Sequence, residues 1–307
     1  MYGENGMTEH PKTIFRILVS ACNCCIKKHM KMTMKKALFF FAAMIFPFFL
    51  NVAAVMAQSS PKSGLTVFAA ASLTESFREI GKTFERAHPD VEVTFNFGGS
   101  PQLARQILDG AQADIAAFAS AKQLRPLAQA KLIHGRAAQI FVHNRLVIIT
   151  PSDNSAGIHS IDDLARPGLK ITFADSSVPA GQYALQFLDN AAKSRKDLAP
   201  GFREQVLKNV ISYEENVKAV YNKVLLGECD AGIVYASDIS RDSSRRVQQI
   251  PISNDQNIVA DYFIAVLNTS RVAETAKTFV DFVLAHEGQE ILSRYGFQSV
   301  INTDSTK

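Results

Sequence analysis

Residue types that often carry enzyme chemistry are present in this chain, but they lack the spacings that enzymes use. The Gly-Ser pair at 99–100 does not form the Gly-x-Ser-x-Gly pattern of a nucleophile elbow, because Gln102 stands where the last glycine belongs. The Gly-Lys-Thr at 81–83 resembles the end of a phosphate-binding loop, but Ser76 replaces its first glycine. The histidines are scattered, with no pair at a metal-ligand spacing.

Two adjacent carboxylates, Glu214 and Glu215, are candidates for acid–base chemistry. We interpret them instead as the start of a helix that runs to Leu226, because the dipole of a helix favours acidic residues at its N-terminus. The sequence therefore favours a binding protein over an enzyme. A secreted serine hydrolase that uses Ser72 or Ser100 stays the alternative from a different functional class.

A small polar residue recurs where a predicted strand passes into a helix. The first such corner is Leu65–Ser76, where an apolar strand precedes Ser72. Ser72 and Glu75 match a capping box, which predicts a helix that begins at Ser72 and ends near Pro89. A helix N-terminus leaves N–H groups without partners and carries partial positive charge, so this corner suits an anion.

Three further corners repeat this arrangement. Ser100 precedes a helix with Pro101 in its first turn, and Ala180 follows Val178-Pro179 at the start of another helix. Val217 lies one turn into the helix predicted to start at Glu214. Several helix N-termini that converge on one point would hold a dianion with N–H donors and without lysine or arginine.

The first 57 of the 307 residues have the composition of a cleavable signal peptide. Three lysines precede the apolar run 37–56, and small residues near Ala57 suit a signal peptidase. An uncleaved transmembrane anchor is the alternative. The segment before Met30 indicates an over-extended N-terminus, and it holds three of the four cysteines (Cys22, Cys24 and Cys25). Cys229 would then be the single cysteine of the exported protein, where we expect a buried thiol.

The net positive charge of the chain comes from residues 1–57. Residues 1–57 hold seven of the 33 Lys and Arg and two of the 29 Asp and Glu, which leaves 26 basic and 27 acidic residues in the remainder. A nearly neutral remainder without a basic stripe argues against nucleic acid as a partner.

From Leu65 onward, β-rich runs alternate with helical patterns, which indicates an α/β fold. Polar segments that follow Thr150 and Pro251 are candidate crossovers between two lobes. We predict that residues 65–145 and 256–302 form lobe 1, that 146–255 form lobe 2, and that a ligand cleft lies between them. One continuous α/β domain is the alternative.

Five segments of the chain closely resemble the periplasmic molybdate-binding proteins of ABC transporters. They are Leu-Thr-Val-Phe-Ala-Ala-Ala-Ser-Leu at 65–73, Leu-Ala-Arg-Gln-Ile at 103–107, Val-Pro-Ala-Gly at 178–181, Gly-Ile-Val-Tyr-Ala-Ser-Asp at 232–238 and Arg-Tyr-Gly-Phe at 294–297. The resemblance covers residues 65–300. It implies a type II periplasmic-binding-protein fold, in which each lobe is a mixed, mostly parallel sheet flanked by helices.

The resemblance also implies the ligand and the residues that hold it. Family motifs place oxyanion contacts on two serine hydroxyls, two backbone N–H groups and one tyrosine hydroxyl, which fall here on Ser72, Ser100, Ala180, Val217 and Tyr235. The implied function is a monomeric periplasmic receptor, without a cofactor, that binds molybdate or tungstate. Its implied partner is an ABC permease with its ATPase. A sulfate-type or other oxyanion receptor is the alternative within this class.

Overall fold

A computed structural model describes residues 62–133, 137–195, 197–198, 200–239 and 246–301. Within these ranges the strands are β1 (Ser63–Ala70), β2 (Val91–Gly98), β3 (Ile115–Phe118), β4 (Gln139–Pro151), β5 (Ile171–Ala174), β6 (Val210–Glu214), β7 (Ala231–Tyr235), β8 (Val247–Pro251), β9 (Val259–Val266) and β10 (Gln298–Ser299). The α-helices are α1 (Thr74–Ala87), α2 (Ser100–Leu108), α3 (Ala121–Gln129), α4 (Pro179–Ser194), α5 (Phe202–Lys208), α6 (Val217–Leu225), α7 (Ala273–Leu284) and α8 (His286–Arg294). Short 3₁₀ turns occupy Ala71–Leu73, Asp162–Ala165 and Ala236–Asp238.

The strands form one mixed sheet in the order β2-β1-β3-β9-β4-β7-β5-β6, with β8 and β10 also paired to β4. Strand β4 is 13 residues long, lies in the middle of this order and changes its partners along its length. Its residues 139–145 pair with β9, whereas residues 146–151 pair with β7 and β8. We call β1, β2, β3, β9 and β10, with residues 139–145 of β4, the β1 half. We call β5, β6, β7 and β8, with residues 146–151 of β4, the β5 half.

The change of partners within β4 falls between Arg145 and Leu146. The chain returns to the β1 half between β8 and β9, across residues 252–258. The predicted boundaries of lobes 1 and 2 fall in these two places, and the division into two lobes stays a prediction. The movement of two lobes about these crossings stays a prediction.

The mixed sheet is confirmed, but its parallel share is smaller than predicted. The pairs β1–β2, β1–β3, β5–β6 and β5–β7 are parallel, as α/β crossovers require. All pairs that involve β4 or β9 are antiparallel. Strand β4 carries the chain from the β1 half into the β5 half, and β9 follows its return, so the two strands run in opposite directions.

The amphipathic pattern of α1 is confirmed. Its residues Phe77, Ile80 and Phe84 are fully buried, and the ring of Phe77 makes edge-to-face contact with Phe141 of β4 at a centroid distance of 5.8 Å. The helix ends at Ala87, since the next residues are the predicted His-Pro break. This packing holds the N-terminal part of α1 against β4.

The capping box predicted for Ser72 and Glu75 is wrong. Ser72 lies in the 3₁₀ turn, and α1 begins at Thr74 without a side-chain cap. The hydroxyl of Ser72 forms a hydrogen bond with the hydroxyl of Tyr262 instead, at 2.7 Å. Ser72 therefore bonds to a residue that is distant in sequence, and not to the backbone N–H of Glu75 that a capping box would use.

The helix start predicted at Glu214 is also wrong. Residues Val210–Glu214 form strand β6 at the edge of the sheet, and Glu214 is bound by Lys223 and Thr172. Helix α6 begins at Val217, where the side chain of Asn216 caps it by accepting from the N–H of Ala219. Val217 is therefore the first residue of its helix and not one turn inside it.

The predictions for residues 1–57, including the signal peptide, the membrane anchor and Cys22, Cys24 and Cys25, lie outside the described residues. Cys229 is buried, as predicted, and burial raises the pKa of its thiol. In the described part of the chain, no helix is both long enough and apolar enough to cross a membrane.

Candidate oxyanion site

The five predicted site residues come together around one cavity between the β1 and β5 halves. Its lining includes Ser72, Ser100, Ala180, Val217 and Tyr235. The first two follow strands of the β1 half, and the others belong to helices and a strand of the β5 half. All five are at most 4% exposed. Segments that lie more than 100 residues apart in sequence thus share one buried surface.

The cavity is small and its lining is uncharged. About 20 Å³ of it is open to the centre of a water molecule. Of the twelve described residues in the lining, none has a side chain that is charged at neutral pH.

Helix N-termini supply N–H donors to this cavity. The first helical hydrogen bond of α4 is from Gln182 to Val178, so the N–H groups of Ala180 and Gly181 precede it. In α2 the first such bond is from Leu103 to Gly99, which leaves the N–H of Ser100 ahead of it. The positive ends of these helix dipoles therefore face the same space and favour an anion there.

The two serine hydroxyls have defined partners. Ser72 Oγ lies 2.7 Å from the hydroxyl of Tyr262, and Ser100 Oγ accepts a hydrogen bond from the N–H of Ala119 at 3.3 Å. Neither a tyrosine hydroxyl nor a backbone N–H is a general base for a serine nucleophile. Ser100 keeps a hydroxyl proton that can be donated into the cavity, and Ser72 keeps one when Tyr262 is the donor of their shared bond.

Tyr235 contributes a buried hydroxyl to the cavity lining. It is 1% exposed, and its hydroxyl has no hydrogen-bond partner among the described residues. Burial raises the pKa of this hydroxyl well above its usual value, so Tyr235 stays a neutral donor. An unpaired buried hydroxyl costs free energy, which an acceptor in the cavity would recover.

Polar contacts join the two halves around the rim of the cavity. The ammonium of Lys218 in α6 lies 2.9 Å from the carboxylate of Glu75 in α1. The amide of Gln102 in α2 donates to the carbonyl of Glu215 at 3.1 Å. These contacts connect the β1 half to the β5 half.

A buried carboxylate lies beneath Lys218. One oxygen of Asp238 accepts from the N–H of Tyr235 at 2.9 Å, and the other lies 3.8 Å from the ammonium of Lys218. Burial raises the pKa of Asp238 to about 6, while the charge of Lys218 opposes this rise and that of Glu75 adds to it. Asp238 thus takes up a proton in the folded protein at a pH where the unfolded chain does not.

The titration of Asp238 predicts a pH-dependent stability. Because its folded pKa is above the unfolded value of 3.8, lowering the pH through about 6 stabilises the folded state. Between pH 7.5 and pH 5, this group should add about 1–2 kcal/mol to the free energy of unfolding, and Asp238→Asn should lose that gain. Urea unfolding of both proteins at both pH values measures the difference. An equal pH response in the two proteins would contradict the assignment.

Three residues around the cavity escape prediction from sequence. Tyr262 of β9 holds Ser72, Asn144 of β4 contacts Tyr262, and Gly99 lines the cavity opposite Glu215. The only local signal for Asn144 is a polar residue beside an apolar strand. Tyr262 has no signal, because a buried tyrosine is common in strands.

Comparisons with known proteins agree with this geometry. Residues 65–298 match a family described as bacterial extracellular solute-binding protein. The molybdate-binding protein ModA of Mycobacterium tuberculosis is 37% identical over 233 residues, which cover 76% of this chain and 84% of that protein.

Two solved structures share the fold at lower identity. The periplasmic molybdate-binding protein of Azotobacter vinelandii superposes with a TM-score of 0.64 and 16% identity, over 76% of this chain and 98% of that one. The sulfate-binding protein SubI of Mycobacterium tuberculosis gives 0.69 and 18%, over 78% and 88%. The predicted fold class, that of the type II periplasmic binding proteins, is thereby confirmed.

The family match covers most of the chain and includes all five predicted site residues. It also confirms the prediction of a binding protein and not an enzyme, because the family consists of solute-binding proteins. The chain belongs to the bacterial extracellular solute-binding protein family.

Proposed function

We propose that this protein is a periplasmic receptor that binds molybdate or tungstate and delivers it to an ABC permease. The observation that carries the proposal is the buried hydroxyl of Tyr235, which has no partner among the described residues and lines a cavity with Ser72 and Ser100. The ligand oxygens would accept from these hydroxyls and from the N–H groups of Ala180 and Val217. The identity to ModA of Mycobacterium tuberculosis supports molybdate as the ligand.

A site made of donors selects a fully deprotonated tetrahedral dianion. Each oxygen of molybdate accepts hydrogen bonds, and none carries a proton that needs an acceptor. Phosphate near neutral pH carries at least one proton, which this site would leave unpaired. An unpaired buried group costs about 1–3 kcal/mol, which corresponds to roughly tenfold weaker binding or more.

Size separates the remaining dianions. Tungstate and molybdate are nearly equal in size, so the site should bind both. Sulfate has the same charge and shape but is smaller, and it would leave donors at longer distances. The fold likeness to SubI makes sulfate the second candidate, and the same titration decides between them.

The transport role rests on the family. Its description as extracellular agrees with the predicted signal peptide at 1–57, and a receptor of this kind requires a permease and its ATPase to move the ligand inward. We propose that the exported protein acts as a monomer in the periplasm and needs no cofactor of its own.

Calorimetric titration of the purified protein with molybdate, tungstate, sulfate and phosphate tests the proposal. We expect molybdate and tungstate to bind with a Kd in the micromolar range or tighter. Sulfate should bind at least about tenfold more weakly, and phosphate more weakly still. Absence of molybdate binding in the micromolar range would overturn the function, and tighter binding of sulfate would favour the second candidate.

A further inference from the structure

A chain of buried hydrogen bonds lies directly behind Ser72. It runs from Ser72 to Tyr262 (2.7 Å), from Tyr262 to the amide of Asn144 (3.4 Å), and from that amide to Ser237 (2.7 Å). These four residues are between 0% and 3% exposed. They come from four separate segments, so their alignment is a product of the tertiary fold.

The direction of this chain is set at Asn144. Its side-chain oxygen accepts a hydrogen bond from the N–H of Arg145 at 2.9 Å. The amide oxygen must therefore face Arg145, and the NH₂ group must face the other side. An NH₂ group donates only, so Asn144 donates to the oxygens of Ser237 and Tyr262.

The direction of the bond from Asn144 also bears on the bond between Tyr262 and Ser72. The NH₂ group of Asn144 cannot accept a proton, and Ser72 Oγ is the other hydrogen-bond partner of the Tyr262 hydroxyl among the described residues, so we assign the Tyr262 proton to Ser72 Oγ. Burial raises the pKa of Tyr262 well above its usual value, so this proton is retained at neutral pH. Ser72 Oγ is then an acceptor toward Tyr262, and its own proton is left for the cavity that Ser72 lines.

We propose that Asn144 and Tyr262 are positioning residues that make Ser72 an obligatory donor to the bound oxyanion. This inference rests on the proposed function and adds a source of its specificity. A free serine hydroxyl can turn and accept a proton from a protonated ligand, whereas a serine held by this relay cannot. The relay therefore contributes to the rejection of hydrogen phosphate relative to an unprotonated anion of similar size.

A double-mutant cycle tests the relay through Ser72. The proteins are wild type, Ser72→Ala, Tyr262→Phe and the double variant, and molybdate is the calorimetric probe. Phenylalanine keeps the edge-to-face contacts of this ring with Phe141 and Phe297, so the variant should fold. We expect Tyr262→Phe alone to weaken binding about fivefold and to have no further effect in the Ser72→Ala background. Additive effects of the two substitutions would overturn the relay.

A second readout separates positioning from a general loss of structure. Sulfate and hydrogen phosphate at pH 8 have the same charge and similar size, and they differ by one proton. We expect the ratio of sulfate to phosphate affinity, measured by competition with molybdate, to fall at least about threefold in Tyr262→Phe. Damage to the fold would weaken both anions equally and leave the ratio unchanged, which would also overturn the relay.

Tyr221→Phe is the matched control. Tyr221 is buried and its hydroxyl has no partner among the described residues, but it is not in the cavity lining. This variant should keep the wild-type affinity and ratio. If wild type binds no molybdate, the proposed function fails, and the cycle is carried out with sulfate. If wild type binds and the cycle is additive, only the relay fails.

Discussion

Replacing Tyr235 with phenylalanine is expected to weaken molybdate binding by about 10- to 100-fold and to leave the folded protein as stable as before. A hydrogen bond to a charged ligand contributes about 1.5–3 kcal/mol, and the hydroxyl of Tyr235 is free to make one. In the protein without ligand this hydroxyl is buried and has no partner among the described residues, so its removal breaks no hydrogen bond found there. The free energy of unfolding should be unchanged or up to about 1 kcal/mol higher.

Calorimetry and urea unfolding on the same samples measure these two effects separately. Tyr221→Phe again provides the comparison, because it removes a buried hydroxyl that has no partner among the described residues and does not belong to the cavity lining. It should match Tyr235→Phe in stability and wild type in affinity. If Tyr235→Phe binds molybdate as tightly as wild type, Tyr235 is a core residue and the assignment of the fifth contact is wrong.

Substituting Gly99 with alanine should weaken molybdate binding by more than about tenfold, because the added methyl group should hinder closure of the two halves. A Cβ atom on Gly99 would overlap the side-chain oxygen of Gln102 in the same half and would lie 2.5 Å from the backbone carbonyl oxygen of Glu215 in the opposite half. The backbone of Gly99 has φ −63° and ψ 134°, a conformation that alanine adopts without strain. The side chain of Gln102 can turn away from the methyl group, whereas the backbone of Glu215 cannot, so the methyl group should hold the cleft open by obstructing lobe 2.

Urea unfolding of the ligand-free variant distinguishes moving lobes from one rigid domain. If the lobes separate, Gly99→Ala should change the free energy of unfolding by less than about 1 kcal/mol. A loss of several kcal/mol would support the single-domain alternative, because the clash could not be relieved by opening. Gly64→Ala is the control, since nothing lies within 4 Å of an added Cβ there and both affinity and stability should be retained.

Local patterns in the sequence predicted much of the secondary structure. The buried strand at 231–235 and the helix end before Pro89 follow from apolar runs and from the restriction that proline places on the preceding residue. Strand β6 was missed because its alternation of partly buried and exposed residues is short and ends in two acids. Its strand state depends on pairing with β5, which is 36 or more residues earlier in the chain.

The residues of the candidate site could be predicted from the family resemblance. The hydrogen-bond partners of their side chains could not. Ser72 matched a capping motif, but the structure gives its hydroxyl to Tyr262, which is 190 residues away. A hydroxyl in a buried position bonds to whatever the packed strands place beside it, and β9 places Tyr262 there. The motif describes only the backbone groups within one turn of Ser72.

By itself, the sequence determined most of the strands and helices that flank the site and the uncharged, donor-bearing character of the five site residues. These properties depend on residue type and on neighbours close in the chain. Only the tertiary structure decided that these segments meet at one cavity, that Tyr235 is left without a partner among the described residues, and that Asn144 sets the direction of the bond to Ser72. Hydrogen-bond direction and burial depend on atoms that folding brings together from distant parts of the chain.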